Sequence, residues 1–232
     1  MEAPAQKTVG SPTPSSNSGN CWLLYAKAEH ASAKWLAEIS VDSYAFWLHG
    51  TDAHTRTIKP GDTAIIYIAS DDKNGGHIYC VGVIPFIRAP FIFDRERERQ
   101  RIAVMITHDF RDNPIEWQVL VNKANEQLDA AEAYSGNLNP VNTSGAVHSV
   151  APPIQRALAD YMSTPVPLLG YEDRFNPEML WRAIFNYGDR FAVLPDYVTS
   201  AARRKGEVEN LTPISDYEEF ASIVIGALKQ WP

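Results

Sequence analysis

The sequence predicts a mixed α/β fold: a bent, fully covered β-structure packed by helices, followed by a C-terminal helical extension. Three observations predict it. Two β-rich runs, Thr63–Ala69 and His77–Ile87, flank a polar, Gly-ended loop at Asp71–Gly76, the pattern of a hairpin. Both runs are apolar almost throughout, so both faces are expected to be covered, as in a closed barrel or a sheet packed by helices. Beyond Thr164 the signals are helical and no strand is expected.

Taken in order, residues 1–20 are rich in Ser, Pro and Gly and predict a disordered tail, since they offer little to bury against the entropy of ordering. Cys21–Ala26 predicts the first strand and Ala31–Ile39 a short helix with Trp35, Leu36 and Ile39 on one face. Tyr44–His49 follows as a strand. Lys59-Pro60-Gly61-Asp62 is a turn in which Pro presets φ and Gly accepts a positive one. Within the second hairpin run, Gly82 predicts a bulge or barrel corner, and Pro85 ends regular pairing.

Arg95–Arg101 alternates in sign and gives way to a strand at Ile102–Phe110. Ile115–Asn122 and Asn125–Tyr134 read as partly helical, and Asn137–Ser149 as a long loop. Pro152-Pro153 opens a helix to Met162. In the extension, Asn176-Pro177 opens a helix to Tyr187, stopped by Gly188. Ser215 with Glu218 predicts a capping box before Phe220–Trp231. The expected organisation is a tail at 1–20, a domain at 21–164, and a helical extension at 165–232 packed on it.

Composition narrows the function. The chain has 232 residues, 45% hydrophobic and 21% charged, ordinary for a globular protein with a self-sufficient core. No apolar run reaches the roughly 20 residues that span a bilayer, and the N-terminus lacks a secretory apolar region. The expected compartment is the cytoplasm, with no membrane partner. Cys21 and Cys80 form no CxxC pair and are expected as buried thiols. The net charge of −7 argues against a generally basic surface, but it is uneven. Residues 21–125 hold 12 Lys/Arg against 13 Asp/Glu, and residues 126–232 hold 8 against 14, so the first half keeps room for a local basic surface.

Catalytic motifs are absent from the chain: it contains no HExxH, GxSxG, P-loop or GxGxxG. The histidines at 30, 49, 54, 77, 108 and 148 show no metal-ligand spacing, and His77 and His108 are expected as structural residues near strand ends. Asp71-Asp72 reads as a solvated loop. Asp94, Glu96 and Glu98 alternate with Arg and read as a solvated, self-paired strand or turn. No catalytic residue, metal or cofactor is expected, although a nuclease with scattered carboxylates would be weakly marked.

The order of elements carries more. Trp22-Leu23-Leu24-Tyr25, Tyr44-Ala45-Phe46-Trp47, the turn Lys59–Asp62, Ile65-Ile66-Tyr67 and Gly76-His77-Ile78-Tyr79-Cys80-Val81-Gly82-Val83 follow one another at informative spacing. This succession resembles the PUA-like superfamily, in particular EVE domains and their YTH relatives, over about Cys21–Met162. Asn139–Ser144 and Val150–Met162 look like the closing loop and last helix of those domains. The resemblance implies a strongly bent β-barrel surrounded by helices that reads nucleic acid carrying a modified base, DNA ahead of RNA. An extruded base stacked on aromatic rings gains roughly 1–3 kcal/mol, which helps offset the cost of extrusion.

On that resemblance, Trp47 matches the first aromatic wall of the base pocket, its other reading being a core aromatic. The second aromatic of YTH domains comes from the connection here spanning Ile87–Gln100, which has no Trp, so Phe91 or Phe93 would stand in; the alternative is an apolar plug. In place of the basic, Asn-containing EVE segment stand His49, Gly50, Thr51, Asp52 and His54, of which Thr51 or Asp52 would bond a base edge or simply be solvated. Lys27, Arg56, Lys59, Arg88, Arg95 and Arg97 are the cations expected along the phosphate backbone. Arg203-Arg204-Lys205 is a separate basic cluster at an expected helix end. The competing reading is a protein-interaction or small-ligand module that uses the acidic, aromatic-rich extension. An effector protein is a further expected partner.

Overall fold

A computed structural model of the chain describes residues 20–27, 39–48, 57–59, 61–69, 76–85, 91–96, 99–126, 147–162, 176–194 and 214–228. Nine strands share one sheet: β1 (Cys21–Lys27), β2 (Tyr44–Leu48), β3 (Thr63–Ala69), β4 (Gly76–Val83), β5 (Phe91–Asp94), β6 (Arg99–Asp109), β7 (Ile115–Glu116), β8 (Val147–Ser149) and β9 (Phe191–Leu194). Among the described residues there are four α-helices: α1 (Trp117–Glu126), α2 (Pro152–Ala159), α3 (Pro177–Phe185) and α4 (Tyr217–Leu228). The fold is mixed α/β, its sheet strongly curled into a half-barrel. No described helix is long and apolar enough to cross a membrane.

The main path of the sheet runs β8-β1-β3-β4-β6-β5-β9. β1 lies parallel to β3, in register from Cys21 opposite Thr63 to Lys27 opposite Ala69. β3 and β4 form the expected antiparallel hairpin. The long β6 organises the rest. Its C-terminal half pairs with β4 and its N-terminal end with β5, while β2 runs along its other edge, Trp47 opposite Ile102.

Alternation along these strands sorts the core into layers. Leu23 of β1, with Ile65 and Tyr67 of β3, packs against Trp117, Leu120 and Val121 of α1 and Ile154, Ala157 and Leu158 of α2. Their neighbours Trp22, Leu24, Ala64 and Ile66 turn the other way, into a second cluster completed by Ala45, Trp47, Ile102 and Val104. A third cluster lies on the opposite face of β2 and β6. There Phe46 and Ala103 meet Ile92 of β5, Phe191 and Val193 of β9, Leu180 and Ile184 of α3, and Phe220 and Val224 of α4.

Irregularities in β4 keep this sorting consistent. The expected bulge at Gly82 is present as a register shift against β6 between Val81 and Gly82. A second shift, against β3 between Ile66 and Tyr67, changes which face β4 presents. Ile78 therefore joins the helix-covered cluster while Cys80 joins the opposite one, because a one-residue slip turns every following side chain over. The Lys59–Asp62 turn closes through Asp62 N–H to the Lys59 carbonyl at 3.2 Å, with Gly61 at φ 75°. Cys21 and Cys80 are free, buried thiols.

Several expectations need correction. Residues 191–194 form β9, which adds to β5, so the extension contributes a strand and shares the sheet of the preceding domain. The connection after β4 contains β5, paired to both β6 and β9. Residues 147–149, expected in a loop, form β8 against β1. Helix α4 begins with the Asp216 carboxylate accepting the Glu219 N–H at 3.0 Å, and that contact takes the place of the Ser215–Glu218 capping box. Asn176 does cap α3, accepting from the Glu178 and Met179 N–H groups at 2.9 and 3.3 Å. The helices expected at Ala31–Ile39 and Asn125–Tyr134 fall largely outside the described residues, as do Asp71, Asp72, Asn139–Ser144 and Arg203–Lys205.

Candidate functional site

Trp47 is held by the last turn of pleat in β2, opposite Ile102 of β6. Its side chain belongs to the apolar cluster that includes Trp22, Ile84 and Ile102, and it is 7% exposed. The indole is thus a core aromatic in this state. Stacking a base on it requires that whatever covers the ring be displaced.

Of the other expected pocket residues, Phe91 and Phe93 lie on β5, their backbones paired opposite Leu194 and Ala192 of β9, and Phe93 also opposite Gln100 of β6. Thr51 and Asp52 lie outside the described residues, as do Arg56, Arg88 and Arg97. Register separates the remaining cations. Lys59 precedes β3 and Arg95 follows β5, which puts both toward the Trp47 end of the sheet, whereas Lys27 closes β1 at the other end. Seven residues of parallel strand, roughly 20 Å, separate Lys27 from the start of β3.

Two buried carboxylates were not expected from the sequence. Asp62, read there only as a turn residue, accepts three hydrogen bonds: from Asn20 N–H at 3.0 Å, Trp22 Nε1–H at 2.8 Å and Lys59 N–H at 2.7 Å. It ties the entry of β1, the turn before β3 and one tryptophan of the inner cluster to a single group. Burial pushes its carboxyl above the ordinary carboxylate value, opposed by the hydrogen bonds from Lys59, Trp22 and Asn20. The signal in the sequence was the polar residue between the turn glycine and an apolar strand, a position that a turn-capping Asp shares with solvated ones.

The second is Asp94, expected to be solvated. It is fully buried and sits between two guanidinium groups. Arg101 donates from Nε at 3.0 Å and also from its terminal nitrogen, and Arg190 donates from Nε and a terminal nitrogen at 3.2 and 3.1 Å. Arg190 also reaches Glu96 at 3.2 Å. Its pKa is raised by the hydrogen bond to Asp94. Both guanidinium groups lie over the Phe191 ring, at 5.9 and 5.5 Å from its centroid. Arg101 is therefore committed to joining β6 to the extension, on the face of the sheet opposite Trp47.

His108 is positioned by Thr107, whose hydroxyl lies 3.0 Å from His108 Nδ1 and donates to the Val81 carbonyl at 3.2 Å. Among the described residues no group of three or more His, Cys, Asp or Glu side chains is arranged to hold a metal ion.

No family profile matches the chain, and no curated protein matches it. Among solved structures, the chain is similar to one titled "Structure of Hypothetical protein from Leishmania major", with 15% identity, a TM-score of 0.38, and coverage of 61% of this chain and 93% of that one.

Proposed function

We propose that the chain reads nucleic acid by taking a flipped, modified base against Trp47, on an EVE-type, PUA-like barrel. The observation that carries the reading is the place of Trp47. It is the penultimate residue of a short strand that pairs only with β6 among the described strands, packs in the inner apolar cluster with Trp22, and lies at the end of the sheet where Lys59 and Arg95 stand. Once its cover is displaced, an indole so placed would give a base a flat apolar wall, and the two cations would meet phosphates flanking it. The ordered motifs from Trp22 to Val83 support the same reading.

The test is binding of short oligonucleotides, single- and double-stranded DNA and RNA, with unmodified, methylated or hydroxymethylated bases, at low salt. Binding that prefers a modified form is expected. Trp47→Leu should weaken that form by the roughly 1–3 kcal/mol of one base stack, while Trp47→Phe keeps most of it. Trp47→Ala is a poor probe here, because removing so buried an indole costs about 3–5 kcal/mol of stability. Equal or absent binding of all oligonucleotides would reject the reading.

A second reading has its own observation. Met179 and Phe185 on α3, Tyr187 after it, and Tyr217 and Ile225 on α4 are large apolar side chains left exposed on the extension. They favour an interaction module, since exposed apolar surface commonly marks a contact site.

A further inference from the structure

A cleft of about 470 Å³ lies where β6, β7, α1 and the end of α2 meet, toward the end of the sheet away from Trp47. We propose that it is a docking groove for a basic, amphipathic segment of a partner protein. This proposal does not rest on the nucleic-acid reading.

The apolar part of the lining comes from Phe110, Ile115, Val119 and Tyr161. Val119 and Tyr161 are 42% and 38% exposed, so both offer apolar surface for a partner to cover. The volume suits a few side chains of an incoming segment.

The charge around this apolar surface selects the partner. Asp112 and Glu116 line the same cleft, both exposed, and neither has an ion-pair partner among the described residues. The neighbouring charges cancel. Asp109 is held by Arg111 at 2.6 Å, and Lys123 by Asp160 at 2.8 Å, with its ammonium 4.9 Å from the centre of the Tyr161 ring. Among the described residues the groove is left net negative, which repels phosphates and attracts Lys or Arg flanking an apolar anchor.

Its walls are already in place. Phe110 N–H donates to the Tyr79 carbonyl at 2.8 Å, Asn113 N–H to the Phe110 carbonyl at 2.9 Å, and Ile115 is paired with Ile78 in the sheet. Little of the binding free energy is then lost to ordering the groove.

The test is a titration of the isotope-labelled full chain, followed by amide NMR, with four probes. These are an acetylated Lys-Leu-Lys-Leu-Lys amide, its counterpart with Glu for Lys, its counterpart with Ser for Leu, and butylammonium. The first should shift amides at 109–119 and 161 saturably, roughly tenfold more tightly than the other three. Asp112→Asn combined with Glu116→Gln, and separately Val119→Ser, should each weaken it roughly tenfold while the remaining spectrum stays unchanged. The proposal is overturned if no probe saturates, or if the Ser counterpart binds equally, since charge alone would then suffice. Butylammonium matching the peptide would also overturn it, in favour of a small-amine site. So would undiminished binding by the double variant.

Discussion

Replacing Asp94 by Asn asks how much of the fold depends on a charge that no solvent reaches. The Asp94 side chain is fully buried, and that of Arg101 is 9% exposed. Arg190 is less confined and has Glu96 as a second partner at 3.2 Å, so it can relax toward solvent. The loss therefore falls mainly on Arg101, whose guanidinium keeps a neutral acceptor at this position but loses the Asp94 charge. Breaking a buried pair from one side costs about 3–5 kcal/mol, and the retained amide oxygen places Asp94→Asn near the lower end, about 3 kcal/mol. The assay is equilibrium urea unfolding followed by circular dichroism. Glu96→Gln serves as the exposed control, expected to change stability by about 0–1 kcal/mol. Adding Arg101→Met to Asp94→Asn should restore part of the loss, because the buried guanidinium that has lost this carboxylate is gone. A loss below about 1 kcal/mol for Asp94→Asn, or no recovery in the double variant, would refute this account.

Gly82→Ala should destabilise the chain by about 1–3 kcal/mol in the same unfolding assay, because a Cβ there would collide with the Met105 carbonyl oxygen and a Val104 methyl across the strand. An unchanged midpoint would mean that β4 and β6 can separate without loss. Asp62 gives a pH dependence of definite sign. Burial raises its folded-state pKa, so the folded chain holds this proton more tightly than the unfolded one. Stability relative to Asp62→Asn should therefore rise as pH falls through the raised value and level off below the ordinary carboxylate value. Urea midpoints across that range that fall instead would contradict it. Burial pushes the Cys80 thiol up to about 12 and Cys21 upward as well. Neither should react with iodoacetamide at pH 8 until the chain is unfolded, and rapid alkylation of the native protein would count against both placements.

How far the sequence could be read depended on whether a signal was local. The β3–β4 hairpin, the Gly61 turn, the Gly82 bulge and the Asn176 cap each follow from neighbouring residues, and each is in place. Phe191–Leu194 and Phe91–Asp94 are four-residue runs with no turn chemistry of their own. The first is a strand because the second lies beside it, some 100 positions away in the chain, and the second is held between it and β6. Asp94 looked solvated because charges surround it in sequence, yet the partner that completes its site, Arg190, is supplied by the extension. For the candidate base site, β2 was legible, whereas the face that Trp47 takes and the depth of its burial depend on strands folding back from β1 and β6.

That arrangement ties the extension to Trp47 most directly through β2. β2 has five residues and pairs only with β6 among the described strands. Its alternation sends Phe46 to the extension and Trp47 to the inner cluster. Phe46 is held edge-on by Tyr187 and Phe191, with ring centroids at 5.7 and 5.5 Å. Such contacts contribute about 0.5–1.5 kcal/mol each beyond the area they bury, which is large for a short edge strand. Tyr187→Ala, at an exposed position, should therefore speed hydrogen exchange of the β2 amides by about two- to tenfold. The amides of β1 and β3, packed under α1 and α2, should stay as protected as before. If β2 protection is unchanged, the extension does not brace the strand that carries Trp47. If β1 and β3 lose protection equally, the chain opens as one unit, and bracing of β2 has no separate meaning.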